Sequence, residues 1–276
     1  MGIPVVIKQR GGLPIRIAGN GFGTPMMLAT SGVGVTMTTM GIPAVIPGLE
    51  PFGLGASLLA WWDASTGVTV TGAGVSSWVD RVGGYDLVQA TDAARPTYSA
   101  TGFNGDPALD FNGTSHFMNL EGVPGSFPTG AAPSEIWFVG QQDALAAETG
   151  VTRPMFAYGS AGAGQRSLFR LVTGDTNRAH LNMGATVSDT VVDFSSRHVV
   201  RAQFGATSSI SVDGQAETSA LSTLASGTTR VRLGCNLPDT PTVFWNGKVR
   251  DLIITTALSA AQATALQTFL LARRML

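Results

Sequence analysis

The chain has 276 residues, a formal net charge of -1 and only 13% charged residues, against about 25% in an ordinary globular domain. That balance excludes the clustered cationic surface that phosphate neutralisation needs, so nucleic acid is not an expected partner. The single cysteine, Cys235, excludes an intrachain disulfide or a cysteine-rich metal site and is expected in an apolar interior.

The N-terminus, Met1-Gly2-Ile3-Pro4, lacks a basic region followed by an apolar core and cleavage site, so synthesis in the bacterial cytoplasm without a signal peptide is expected. Residues 1–52 then carry a loose repeat of Gly, an apolar residue, Pro and another apolar residue: Gly2-Ile3-Pro4-Val5, Gly12-Leu13-Pro14-Ile15, Gly23-Thr24-Pro25-Met26 and Gly41-Ile42-Pro43-Ala44. Each unit predicts a turn followed by a short β-prone stretch, such as Val5-Val6-Ile7, Ile15-Arg16-Ile17 or Val35-Thr36-Met37-Thr38. Short apolar strands with prolines between them gain stability by pairing with other copies or a larger body, so this segment reads as a docking arm. Met26 to Ile46 is uncharged, but its Gly, Thr and Pro content suits no lipid-embedded helix, and no membrane insertion is expected.

From residue 53 to 276 the pattern is one of many short strands separated by Gly, Asn and Asp turns. Leu58 to Ser65 opens it, with Trp61 and Trp62 for the core and Asp63 to begin a turn. Val75 to Asp80, Tyr85 to Gln89, Pro107 to Asn112, Glu135 to Gly140, Pro154 to Tyr158, Ser167 to Val172, Arg178 to Met183, Val199 to Phe204, Ser209 to Gly214 and Thr229 to Gly234 follow. This spacing predicts an antiparallel sandwich. Asn246-Gly247 reads as a tight hairpin turn leading into a strand, in which the run Leu252-Ile253-Ile254 is buried on both faces or bulged. A terminal helix is capped by Ser259 and Gln262, stapled by Leu258 against Ala263 and buried along Leu266, Phe269 and Leu270, with Arg273 and Arg274 suiting its C-terminal dipole.

The succession Ala60-Trp61-Trp62-Asp63-Ala64-Ser65, Val75-Ser76-Ser77-Trp78-Val79-Asp80, Arg95-Pro96-Thr97-Tyr98, Pro107-Ala108-Leu109-Asp110-Phe111-Asn112-Gly113 and Val212-Asp213-Gly214, ending in Trp245 to Leu252 and the capped helix, resembles the concanavalin A-like (laminin G-like) jelly-roll family. The resemblance covers about residues 54 to 276 and implies an all-β, concanavalin A-like antiparallel sandwich with an extended N-terminal arm and a short C-terminal helix. The repeat of the arm is similar in composition to N-terminal arms of phage and gene-transfer-agent virion proteins. Together they imply a structural virion protein, such as a spike, fibre or decoration protein. Its arm (1–52) would join other virion proteins, and its jelly roll (53–276) would bind host-surface polysaccharide as a homo-oligomer on the virion surface. The alternative is a carbohydrate-active enzyme or free lectin of the same fold.

Family members that hydrolyse glycans carry a Glu-x-Asp-x-x-Glu strand, absent here, and Glu50, Glu121, Glu135, Glu148 and Glu217 each stand alone, so the chain is not expected to be an enzyme. His116, His180 and His198 lack metal-ligand spacing, and Asp106, Asp110 and Asn112, although close together, are also what turns require, so no metal or cofactor is expected. Alternation in Arg178 to Met183 puts Arg178, His180 and Asn182 on a polar face, and in Val199 to Phe204 it does the same for Arg201 and Gln203. If those strands are neighbours, the five residues could line one glycan-binding face. A solvated sheet face would show the same alternation, and the tryptophans are expected mostly in the core.

Overall fold

A computed structural model describes residues 6–7, 15–16, 51–130, 132–143, 152–160, 165–173, 176–183, 185–191, 194–215, 218–221, 227 and 229–275. The chain divides into two compact units, Met1–Ala44 and Val45–Leu276. In the first, β1 (Val6–Ile7) and β2 (Ile15–Arg16) pair antiparallel, Val6 opposite Arg16, at two of the stretches expected to be extended. The third, Val35 to Thr38, lies outside the described residues.

The second unit opens with a 3-10 segment, Pro51–Ser57, and β3 (Leu58–Asp63), β4 (Val68–Thr71), β5 (Gly74–Trp78) and β6 (Leu87–Val88). Next come β7 (Thr97–Phe103), β8 (Asp106–Asn112), β9 (Met118–Glu121), β10 (Ser134–Gln142), β11 (Thr152–Gly159), β12 (Gln165–Thr173), β13 (Thr176–Met183) and β14 (Ala185–Val191). β15 (His198–Phe204), β16 (Thr207–Val212), β17 (Thr218–Leu221), β18 (Arg230–Leu233), β19 (Asn246–Thr256) and the helix α1 (Ala260–Met275) complete it. Two antiparallel sheets result. One runs β17-β16-β15-β10-β19-β8-β7 with β3 also on β19, and the other runs β14-β13-β12-β11-β18-β9-β6-β5-β4. The unit is the expected all-β sandwich with a C-terminal helix.

Alternation along the strands makes three layers. Trp62, Ile136, Phe138, Leu252 and Ile254 of the first sheet pack with Trp78, Tyr158, Leu181 and Val231 of the second to form the inter-sheet core. The intervening residues Trp61, Trp137, Val139 and Ile253 face outward and are covered by Leu54 and by Ala263, Leu266 and Leu270 of α1. Both faces of the first sheet are therefore buried, which explains why Leu252-Ile253-Ile254 is uninterrupted. The pairing of β19 also shifts register at Val139/Gly140 and at Ile254/Thr255, so the expected bulge is present as well. All five tryptophans are buried.

Asn246-Gly247 does not turn. The two residues begin the eleven-residue strand β19, and Gly247, with φ 150°, is there because a Cβ would lie 2.3 Å from the Gln141 carbonyl oxygen. The strand expected over Ser209 to Gly214 instead ends at Val212, and Asp213 and Gly214, with positive φ of 53° and 75°, make the turn after it. Asp63 starts its turn by accepting the Ser65 amide at 2.9 Å. The buried Asp80 carboxylate accepts four backbone amides, from Trp61, Val82, Gly83 and Tyr85, and so fixes the loop after β5.

The cap of α1 is as expected: the Ser259 amide donates to Gln262 Oε1 at 3.0 Å, and the Gln262 amide to Ser259 Oγ at 3.3 Å. Arg273 does more than complement a dipole. It donates to Asp63 at 2.8 Å and, through Nε, to Asp251 at 3.2 Å, while Asp251 also accepts from Arg250 and from the Trp61 indole. Burial works against the Arg273 charge, yet Asp251 and Asp63 outweigh it and hold its pKa above the ordinary value. The helix is thus tied to β3 and β19 by a buried charge network.

Candidate functional site

Beside α1, the outer face of the first sheet carries a polar cluster set by register. β10 and β15 pair Glu135 with Gln203 and Trp137 with Arg201, placing four outward side chains in one block. Glu135 is 1% exposed, at the start of a strand that is otherwise apolar to Val139. Arg201 grips it with both prongs, Nε to Oε2 and Nη2 to Oε1 at 3.0 Å each. The Gln203 amide and the Leu258 backbone N–H donate to Oε1 at 3.3 and 3.2 Å, and Ser209 Oγ donates to Gln203 Oε1 at 2.6 Å. The Arg201 guanidinium also sits 5.1 Å from the Trp137 ring centroid. A buried carboxylate is tolerated only when paired and hydrogen-bonded in this way.

Two clefts flank this block. One, of about 340 Å³, is bordered by Glu135, Gln203, Ser209 and Ser219, with Phe204 and Pro133 as apolar walls. The other, of about 320 Å³, lies between α1 and strands β15 and β16, against Trp137 and Arg201. Both fall at the lower end of the roughly 300–1,000 Å³ typical of small-ligand sites. Beside the satisfied carboxylate, the Gln203 carboxamide and the Ser209 and Ser219 hydroxyls bring donors and acceptors to the cleft, which is what vicinal hydroxyl groups require.

Of the five residues singled out from sequence, the structure brings two together. Arg201 and Gln203 share the outer face of the first sheet, whereas Arg178, His180 and Asn182 lie on β13 of the second, between β12 and β14. The strands are not neighbours. His180 is only 5% exposed, and the side chains of Arg178 and Asn182 lie outside the described residues. Glu135 was passed over because it stands alone in sequence. Its signal was a carboxylate at the head of Ile136-Trp137-Phe138-Val139, where burial demands a partner.

A second acidic cluster lies at another part of the same face. Lys248 of β19 reaches Asp110 of β8 at 3.4 Å and makes a closer contact with Asp143, just beyond β10. Burial raises the Asp110 pKa above the usual carboxylate value; Lys248 opposes this and Asp143 adds to it. Burial opposes the Lys248 charge, but hydrogen bonding and attraction to Asp143 and Asp110 leave its pKa raised. The other two residues of the Asp106, Asp110 and Asn112 group have partners of their own: Asp106 pairs with Arg250 at 3.3 Å, and Asn112 Oδ1 accepts the amides of Thr114, Ser115 and His116. Among the described residues no group of three or more acidic, His or Cys side chains is placed to hold a metal ion.

No family model matches the sequence, and no curated protein does. Solved structures do share the fold. A sialidase from Trypanosoma rangeli in complex with 2,3-difluoro-KDN aligns over 87% of this chain and 37% of its own, with 15% identity and a TM-score of 0.58. The same sialidase in complex with sialic acid aligns over 80% and 33%, with 16% identity and a TM-score of 0.55. An arabinofuranosidase complexed with arabinofuranosyl-α-1,2-xylobiose aligns over 72% and 51%, with 16% identity and a TM-score of 0.53. The chain spans about a third to a half of the length of these proteins. At such identities the likeness establishes the fold. It also overturns the expectation that the chain is not an enzyme: sandwiches that align with it occur in glycosidases, so the missing Glu-x-Asp-x-x-Glu strand does not exclude activity.

Proposed function

We propose that the sandwich handles carbohydrate, taking a sugar in the cleft bordered by Glu135, Gln203 and Ser209. The observation that carries this reading is the convergence of a fully paired buried carboxylate, a carboxamide and hydroxyls on a cleft of sugar dimensions. The carbohydrate-active proteins sharing the fold support it. Glycan-array binding of the full chain, followed by calorimetry, tests it. Replacing Gln203 and Ser209 together with Ala weakens the best glycan roughly tenfold or more, as two lost hydrogen bonds would. Unchanged affinity in a folded double variant removes the cleft from the reading.

A hydrolytic reading has its own observation. Asp110 and Asp143 approach the same ammonium, and burial raises the Asp110 pKa, as a carboxyl acting as proton donor requires. In this reading Asp110 protonates the leaving oxygen. Its test is release of reducing ends from a panel of polysaccharides, with Asp110→Asn losing activity at least about a hundredfold, the contribution usual for a general acid. Release that persists in Asp110→Asn assigns the activity elsewhere.

Attachment to a virion is supported by the composition of residues 1–52 alone, and the matched structures lend it nothing. In that setting the arm binds other virion proteins, the sandwich faces host polysaccharide, and several copies multiply a modest affinity. Antibody labelling of purified particles by electron microscopy tests it. Label at a repeated position, lost on deletion of residues 1–52, supports the reading; unlabelled particles reject it.

A further inference from the structure

The cleft between α1 and strands β15 and β16 has a different chemistry from its neighbour. It is bordered by Trp137, Arg201, Gln267 and, on the small-residue side, Ala260, Ala263 and Gly214. Two of the residues that line it carry a buried nitrogen without a hydrogen-bond partner, Trp137 Nε1 and Gln267 Nε2. Buried donors are nearly always satisfied by protein, water or ligand, so two at one cleft call for an acceptor. Trp78 and Trp245 also carry indole nitrogens without a partner, but both rings belong to the inter-sheet core. Trp137 instead lines the cleft.

The charge of the cleft narrows the ligand. Arg201, the charged residue on its wall, already holds Glu135 with both prongs, so the cleft presents no spare positive charge to an anion. What remains is neutral hydrogen bonding beside small apolar side chains. An acetamido group meets both demands: its carbonyl oxygen, with two lone pairs, accepts from the Trp137 indole and from Gln267 Nε2, and its methyl lies against Ala260 and Ala263.

We propose that this cleft binds the acetamido group of an N-acetylated amino sugar, an assignment that rests on the carbohydrate reading above and names the sugar class. N-acetylglucosamine, glucosamine and glucose are titrated into the full ¹⁵N-labelled chain. The indole N–H resonance of Trp137, assigned with Trp137→Phe, is the readout. N-acetylglucosamine is expected to move that resonance and to bind about fivefold or more tighter than glucose, the worth of one further hydrogen bond. Gln267→Leu, on a partly exposed helical position, abolishes most of the preference. Equal binding of the three sugars, or a preference that survives Gln267→Leu, overturns the assignment and leaves carbohydrate binding standing. Absence of binding by all three overturns both.

Discussion

The two faces of the first sheet are both buried, yet they are built differently. The inner face is made of neutral apolar residues, Trp62, Ile136, Phe138, Leu252 and Ile254, which any partner of matching shape would satisfy. The outer face mixes Trp61, Trp137 and Ile253 with Asp63, Asp251, Glu135, Arg201 and Arg250, whose charges need specific partners. Non-directional burial holds the sandwich together, whereas directional pairing decides where α1 sits. The clefts lie on the second kind of face, since polar groups that cannot be fully enclosed are what a ligand can reach.

The inner face should respond to lost volume. Phe138→Ala is expected to cost about 4 kcal/mol, because Trp245 packs edge-on against it at 5.9 Å and cannot collapse into the gap. Urea denaturation measures this; a cost below about 1 kcal/mol would mean that this layer is loosely packed. The outer face should respond to lost charge. Asp251→Asn keeps the volume but strips Arg250 and Arg273 of a buried counter-charge, at about 3 kcal/mol. Arg273→Met added to Asp251→Asn should cost less than Arg273→Met alone, because the two residues act through one contact. Strict additivity would show that helix and sheet are held by packing alone.

The same division decides what was legible in the sequence. The inner face was readable, since the apolar run Ile136 to Val139 and the alternation in Val199 to Phe204 are local signals, as is the Ser259–Gln262 cap of the helix. The outer face was not: Asp63 and Arg273 are 210 positions apart, and nothing local pairs them. β7 (Thr97–Phe103) escaped notice because it is mostly solvent-facing, with no apolar alternation to mark it, while β4 (Val68–Thr71) alternates Val with Thr but is only four residues long and mostly exposed. Asn246-Gly247 misled for the opposite reason. Its glycine serves a close backbone approach rather than a turn, and only tertiary structure separates the two. For the site, Arg201 and Gln203 were found by their alternation, while the two sheets that part them from His180 were invisible without topology.

Smaller perturbations sharpen the contrast further. Ser259→Ala removes a cap and should cost about 1 kcal/mol by thermal denaturation, without disturbing the charge network at the far end of α1. The smallest effect expected is at Asp110, where the sign matters more than the size. Burial raises its pKa above the ordinary 3.8, with Lys248 opposing and Asp143 assisting. A carboxyl raised in the folded state favours folding while protonated, so its contribution is complete below about pH 3.8 and fades as the pH climbs through the folded value. Asp110→Asn cannot ionise. Its stability relative to the unaltered protein should therefore rise between pH 3.5 and 7, as followed by urea midpoints at constant ionic strength. The opposite slope would mean that Lys248 outweighs burial, making Asp110 an ordinary salt-bridge partner and removing the proton donor on which the hydrolytic reading depends.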